Sequence, residues 1–201
     1  MVVAGNKRPT PPKKAFSLLQ PAILVAFILG SISGYGGSVY LQATQAQAEV
    51  APTSIQVRFS PGGQCTQFVE QAIATAQKSI LVQAYGFTSR AIAEALIAAH
   101  ERGIAVKILV DRSQLTARGS KVRLMLEKGI PLFIDVVPGI AHNKVMIIDD
   151  TYVLTGSFNW THAAEYRNAE NLLLIRDKHT NKIYRENWEQ RARKAQAAQL
   201  P

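Results

Sequence analysis

Apolar residues recur with two different periods along the chain, and these periods predict an alternation of strands and helices. Short alternating or continuous apolar runs predict strands at 55–59, 80–85, 105–110, 131–137, 145–148, 152–155 and 170–175. Apolar residues at helical spacing predict helices at 68–77, 90–102, 120–127 and 177–195. The alternation of strands and helices in the first half is typical of a parallel sheet. The pattern therefore predicts an α/β fold, with a mixed, largely parallel β-sheet flanked by helices on both faces.

Two polar residues lead into the strand predicted at 145–148. Because side chains alternate along a strand, His142 and Lys144 should project from one face, while Asp149 falls in the opposite phase. Imidazole can attack phosphorus or move a proton, and lysine supplies positive charge without being a metal ligand. The pair therefore predicts a phosphate-directed site in which Asp149 positions its neighbours and does not contact substrate.

The strand predicted at 152–155 ends in a second polar segment. Gly156 lacks a Cβ, so backbone here can approach a ligand closely. Ser157 and Asn159 offer a hydroxyl and a carboxamide in the same phase, and both groups can hydrogen-bond phosphate oxygens. The sequence has no glycine-rich nucleotide loop and no cluster of His, Cys, Asp or Glu at metal-ligand spacing. The predicted chemistry therefore uses no metal and no other cofactor.

These residues resemble the signature of the phospholipase D superfamily. The signature reads here as His142-x-Lys144, four further residues, Asp149, six further residues and Gly156-Ser157-x-Asn159. The resemblance extends from about residue 54 to about residue 188 and is greatest to the small single-motif bacterial endonucleases of that superfamily, the Nuc type. Glu170 matches the downstream acidic position of that group.

The resemblance implies a metal-independent phosphodiesterase that cleaves DNA, RNA or both with little sequence preference. In the family's reaction one histidine attacks phosphorus to form a phosphohistidine, and a second protonates the leaving oxygen and then activates water. Because this chain has one motif, the resemblance implies a homodimer in which each subunit contributes His142 to a shared site. Lys144, Ser157 and Asn159 would stabilise the phosphate charge, and Glu170 would orient the histidine.

Further polar residues leave alternatives open. His162 follows the second polar segment closely and is the rival for the second histidine. Arg118, Lys121 and Arg123 follow the carboxyl end of a predicted strand, where α/β folds bind ligands. These three residues either bind substrate phosphates along a basic rim or form a solvated helix face.

Two aromatic residues and the single cysteine carry weaker signals. Phe158 and Trp160 could stack on the bases of a single strand, but their place at a strand end favours the hydrophobic core.

Cys65 has no intramolecular disulfide partner. It either bridges two copies of an exported chain or is buried, and a buried thiol is the preferred interpretation.

The amino-terminal region has the composition of an export segment. Four basic residues precede the apolar stretch 15–29, and 46–48 (Ala-Gln-Ala) is a candidate cleavage site that would leave Glu49 as the new terminus. The uncharged stretch 15–41 is also long enough to associate with a bilayer as an uncleaved anchor. We therefore divide the chain into residues 1–48, an export signal or membrane anchor with linker, and residues 49–201, a phospholipase D-like domain. The domain is predicted to be periplasmic or secreted, or anchored in the inner membrane outside the cytoplasm.

The charge restricts the class of partner. The formal net charge is +9 at pH 7, and residues 49–201 hold 19 basic and 14 acidic residues. This excess suits nucleic acid or an anionic membrane surface. The leading hypothesis is a nuclease, and the alternative is a phosphodiesterase acting on phosphatidyl head groups or cardiolipin. A non-catalytic nucleic-acid-binding module is a third hypothesis, which the complete set of polar residues disfavours.

Overall fold

The structure, a computed structural model, describes residues 54–199. The predicted export segment and its cleavage site lie outside these residues. No helix within residues 54–199 combines the length and the apolar character needed to cross a membrane.

The described residues form one eight-stranded sheet with helices on both faces. The strands are β1 (Ser54–Ser60), β2 (Ser79–Ala84), β3 (Ala105–Asp111), β4 (Leu132–Asp135), β5 (Lys144–Ile148), β6 (Tyr152–Gly156), β7 (Glu170–Arg176) and β8 (Gln196–Ala197). The helices are α1 (Cys65–Ala74), α2 (Arg90–Glu101), α3 (Val122–Glu127), α4 (His162–Tyr166) and α5 (Lys178–Ala192), with a 3₁₀ helix at Arg112–Leu115. The strand order is β1-β7-β6-β5-β2-β3-β4-β8.

The sheet is mixed, as predicted, but it is not largely parallel. Parallel pairing joins only β2 to β3 and β3 to β4 among the described strands. The pairs β1–β7, β7–β6, β6–β5, β5–β2 and β4–β8 are antiparallel. Residues 149–151 between β5 and β6 are too few for the crossover that a parallel pair requires, so a hairpin forms. The prediction extended the pattern of the first half to the whole chain and was wrong there.

Apolar side chains cover the two faces of the sheet unequally. The larger cluster joins one face to α1, α2 and α3 and contains both Phe158 and Trp160, each fully buried. Cys65 lies in the same cluster with no exposed surface. On the opposite face, Trp188 of α5 packs against β2, β3, β5 and β6 and donates its indole N–H to the Val82 carbonyl at 2.9 Å. The core interpretation of the two aromatic residues and the buried thiol is confirmed.

Most helix and strand limits differ from the predicted ones by a few residues. Helix α1 begins at Cys65, three residues before the predicted start, and α5 ends at Ala192. The five-residue helix α4 and the short strand β8 were not predicted, because neither is long enough to show a period. Thr161 caps α4 by accepting a hydrogen bond from Ala164 N–H.

Asp149 fastens the end of β5 to the loop before β2. It has a positive φ of 50°, which Asp tolerates better than most residues. Its carboxylate accepts hydrogen bonds from the backbone N–H groups of Gln77, Lys78 and Ser79 at 2.8–2.9 Å. Partial burial raises the pKa of Asp149, but these three donors and the charge of Lys78 outweigh it, so the pKa lies below its usual value.

We expect Asp149→Ala to lower the free energy of unfolding by about 2 kcal/mol, because three donors lose a charged acceptor. Because the folded-state pKa is depressed, the carboxylate stabilises the fold above its unfolded pKa and stops doing so as the pH falls through the folded value. Urea unfolding at pH 7 and near pH 3 measures both effects. The difference between the variant and the wild type should shrink at the lower pH, and an undiminished difference would contradict this role. Asp149→Asn, which tolerates the same φ, should lose less.

Candidate active site

The polar segments singled out from the sequence meet at one edge of the sheet. Lys144, the first residue of β5, pairs with Ala84 at the carboxyl end of β2. Gly156 at the end of β6 pairs with Leu172 near the start of β7. Since β5 is antiparallel to both β2 and β6, its amino end lies beside their carboxyl ends. We call this the site edge.

An open depression of about 510 Å³ lies at the site edge. Its lining residues are His142, Lys144, Gly156, Ser157, Asn159, Glu170 and Asn171. The structure thus brings together every predicted catalytic residue except Asp149, which lies at the far end of β5. Asn171 was not predicted.

His142 and Lys144 are in direct contact. His142 precedes β5, and the Lys144 Nζ atom lies 2.9 Å from its Nδ1 atom. Nζ also donates a hydrogen bond to the His142 carbonyl oxygen at 2.7 Å. Only 5% of Lys144 is exposed. Burial lowers the pKa of the Lys144 ammonium below its usual value, and the negative charge of Glu170 opposes this shift. The depression therefore presents a partly desolvated positive charge beside an imidazole.

Tyr85, which the sequence did not indicate, packs against both of these groups. Its ring centroid lies 4.4 Å from that of His142, and Lys144 Nζ lies 4.9 Å from the Tyr85 ring centroid. Its backbone N–H donates to the Asn143 carbonyl oxygen at 3.1 Å. Tyr85 follows β2 directly, so the strand pairing of β2 with β5 fixes its place. It can restrict the imidazole and attract the ammonium at the same time.

We expect Tyr85→Leu to lower the turnover rate about tenfold, because the imidazole loses its aromatic neighbour and the ammonium its cation–π contact. Tyr85→Phe keeps the ring and should retain most of the activity. Steady-state kinetics of the two variants checks this, with circular dichroism to confirm folding. Equal losses in both variants would assign the effect to the hydroxyl and contradict the packing role.

The second polar segment is held by β7. The Ser157 hydroxyl oxygen accepts hydrogen bonds from the Asn171 backbone N–H at 3.0 Å and from its side-chain Nδ2 at 3.3 Å. A Cβ atom at Gly156 would collide with the Asn171 carbonyl oxygen. Gly156 is therefore required here for a close approach of two backbones, and Ser157 can still donate its hydroxyl hydrogen towards a phosphate.

The Asn159 carboxamide has an unmet hydrogen-bonding capacity. Its Oδ1 atom is buried and has no hydrogen-bond partner within residues 54–199. Gly86 lies behind it, where an added Cβ would be 3.2 Å from Oδ1 and 3.0 Å from Thr161 Cγ2. A buried amide oxygen without a donor is costly, and the Nδ2 group of the same carboxamide is the donor that suits a phosphate oxygen.

Glu170 lies in the depression but does not orient His142 within one subunit. Its carboxylate accepts a hydrogen bond from Asn168 Nδ2 at 2.9 Å. No hydrogen bond joins Glu170 to His142 in the part of the chain that the structure describes. Its assigned role in orienting the histidine stays a prediction.

The other candidates lie outside the depression. Arg123 forms an exposed ion pair with Glu127 at 2.8 Å, and Lys121 borders a separate depression between α2 and α3. Arg118 is exposed on the loop before α3. His162 is exposed at the start of α4, with its ring 4.5 Å from that of Tyr166. Binding of substrate phosphates by these three basic residues stays a prediction.

The loop before His142 is fixed by a buried carboxylate. Asp111 is 2% exposed and accepts hydrogen bonds from Ala141 N–H at 2.7 Å and from Ser113 N–H at 2.9 Å. Burial raises the pKa of Asp111, but these donors and the charge of Arg112 outweigh it, and the pKa lies below its usual value. The carboxylate therefore stays charged at neutral pH and holds the residue next to His142. In residues 54–199 no group of three or more His, Cys, Asp or Glu side chains is arranged to hold a metal ion.

Comparisons with known proteins show the family and the fold. Residues 69–192 match the family model described as "Cardiolipin synthase, PLD-like domain". A phospholipase D of Rickettsia conorii is 42% identical over 183 residues, which cover 83% of this chain and 92% of that protein. The crystal structure of Nuc from Salmonella typhimurium, a phospholipase D family member, superposes with a TM-score of 0.70 at 38% identity and covers 74% of this chain and all of that one. NucT from Helicobacter pylori superposes with a TM-score of 0.67 at 25% identity and covers 73% of this chain and all of that one.

Proposed function

The chain belongs to the phospholipase D superfamily, whose members are phosphodiesterases, and on that premise we propose that it cleaves nucleic acid without a metal in a site completed by a second copy of itself. The observation that carries this proposal is the depression at the site edge. It combines an imidazole, a buried ammonium, a hydroxyl and a carboxamide, which is a set of groups suited to a phosphodiester.

The proposed reaction has two displacements at phosphorus. In the first, a His142 nitrogen attacks phosphorus, the P–O bond to the leaving group breaks, and a second histidine gives its proton to the leaving oxygen. In the second, that histidine takes a proton from water, the water oxygen attacks phosphorus, and the P–N bond breaks. Lys144 and Asn159 stabilise the charge on the non-bridging oxygens. No atom changes its oxidation state, so water is the only co-reactant that the reaction requires.

The need for two histidines supports a second subunit. His142 is the one histidine among the residues that line the depression. A charged Lys144 only donates hydrogen bonds, so the His142 Nδ1 atom beside it accepts one. The attacking histidine needs a free lone pair at the moment when the other needs a proton for the leaving oxygen, so a single His142 cannot fill both roles in one step.

An uncovered apolar surface supports the same conclusion. Ile55, Val57 and Phe59 of the edge strand β1 are 56%, 41% and 66% exposed, and alternation places them on one face of the sheet. Their partners on β7 include Leu173 and Asn171, and the latter lines the depression. We call this surface the β1 face. It lies beside the part of the sheet that α5 covers and reaches the site edge, so a two-fold contact across it would bring two depressions together.

Two observations favour nucleic acid as the substrate. The depression is open, so a polymer can pass through it without threading its ends. The sequence also resembles the Nuc-type endonucleases, and the Nuc structure is matched over its whole length. The alternative is a phospholipid. It is supported by a relative named phospholipase D that is 42% identical over most of both chains.

The substrate is tested with the full chain in excess EDTA, offered plasmid DNA, single-stranded RNA and vesicles of cardiolipin or phosphatidylcholine in separate assays. We expect cleavage of nucleic acid at an undiminished rate in EDTA. Lys144→Gln should lose it, whereas Lys182→Gln, an exposed lysine on α5, should not. Hydrolysis of phospholipid alone would establish the alternative, and activity that requires an added divalent metal would contradict the metal-free mechanism.

A further inference from the structure

Two loops at the site edge expose aliphatic side chains. Leu115 follows β3, and Val136 and Ile140 lie between β4 and β5. They are 55%, 51% and 58% exposed. Such side chains gain nothing from contact with water. We call these three residues, with the loops 112–121 and 136–143 that carry them, the apolar rim.

Hydrogen bonds fasten the two loops into one surface. The Asp111 carboxylate binds the backbone of Ser113 in the first loop and of Ala141 in the second, with both bonds at 2.7–2.9 Å. The Arg112 guanidinium donates to the Gly139 carbonyl oxygen at 3.3 Å. Because Ala141 precedes His142 directly, the apolar rim is continuous with the depression.

The charges of the apolar rim have one sign. Loops 112–121 and 136–143 contain Arg112, Arg118 and Lys121 and no Asp or Glu. None of these cations forms an ion pair with a carboxylate in the described part of the chain. A surface that combines exposed aliphatic groups with cations outside any close ion pair is complementary to a bilayer that contains anionic lipids.

We propose that the apolar rim docks on an anionic phospholipid bilayer and turns the depression towards the lipid head groups. The three aliphatic side chains would enter the boundary between head groups and acyl chains, and the cations would bind lipid phosphates. Nucleic acid also attracts the cations, but aliphatic side chains find little apolar surface on a phosphate backbone. The exposed aliphatic residues therefore favour a bilayer over nucleic acid as the partner of the apolar rim. The docking deepens the phospholipid alternative and does not depend on which phosphodiester is cleaved.

Docking and self-association use different parts of the molecule. The apolar rim follows β3 and β4, whereas the β1 face belongs to the other end of the strand order. Between β1 and β3 lie β7, β6, β5 and β2. The strands that lead into the apolar rim are therefore not part of the β1 face itself.

The proposal is tested with an environment-sensitive dye attached to single cysteines in the full chain. Leu115→Cys and Ile140→Cys report on the apolar rim. Ile183→Cys, 53% exposed on α5, which begins at the opposite sheet edge, is the matched control. The native Cys65 is buried and should not react with the dye. We expect vesicles of phosphatidylcholine with phosphatidylglycerol to shift the emission of the two rim dyes to shorter wavelength and leave the control dye unchanged.

Several outcomes would overturn the proposal. The first is unchanged emission of the rim dyes in a protein that sediments with the vesicles. The second is an equal emission shift of the control dye at position 183. The third is an emission shift of the rim dyes that a single-stranded oligonucleotide produces and vesicles do not. Arg118→Ser and Lys121→Ser should each weaken binding of the rim to the vesicles about fivefold, and Lys182→Ser should not. His142→Ala should dock like the wild type. Docking without activity would therefore contradict the proposed function alone, and activity without docking would contradict this inference alone.

Discussion

Replacing His142 by alanine is expected to lower the rate of phosphodiester cleavage by about four orders of magnitude or more. The reason is that this residue would supply both the nucleophile and the general acid, and each function alone contributes a large factor. The alanine side chain removes only groups that contact Lys144 and Tyr85 at the surface of the depression, so the fold should persist. The measurement is initial rates of the full chain in excess EDTA.

His162→Ala is the matched control for this prediction. This second histidine is exposed, contacts Tyr166 and does not line the depression, so its loss should leave the rate within a few-fold of the wild type. If His162→Ala were as damaging as His142→Ala, the rival assignment of the second histidine would be correct. A His142→Ala enzyme with substantial activity would show that His142 is not the nucleophile.

Charged substitutions on the β1 face are expected to separate the subunits and to abolish cleavage. Val57→Asp together with Phe59→Asp would place two carboxylates in an apolar contact, where burial of unpaired charge is prohibitive. A monomer would lack the second histidine, so the rate should fall by about a thousandfold. Sedimentation equilibrium and the nuclease assay measure the two consequences on the same sample.

The same strand provides a matched control for this second prediction. Gln56 is exposed and projects from the opposite face of β1, so Gln56→Asp adds a charge without entering the proposed interface. It should remain dimeric and active. A monomeric Val57→Asp, Phe59→Asp variant with full activity would show that one chain holds a complete site.

The sequence predicted the central strands and the members of the depression because both depend on local order. His142 and Lys144 are two residues apart, and Ser157 and Asn159 follow a strand joined to the first by a tight turn. Hairpin pairing then brings the two segments together without any long-range information. Glu170 was placed by resemblance, and the pairing of β6 with β7 explains why it reaches the same edge.

The features that the sequence did not predict depend on contacts between distant segments. Tyr85 lies almost sixty residues before His142, and only the antiparallel pairing of β2 with β5 puts its ring against the imidazole. Asn171 supports Ser157 through a bond across two strands. The prediction of a largely parallel sheet failed for the same reason. Apolar periods identify the strands but do not indicate which strands pair.

The shared site is tested with a dimer that contains one wild-type subunit and one His142→Ala subunit. Two different affinity tags on co-expressed full-length chains isolate this mixed dimer from both parents. If one site is built from the two copies of His142, the mixed dimer is inactive, because neither subunit can supply the missing histidine. About half of the wild-type activity would show that each subunit acts alone and would contradict the shared site.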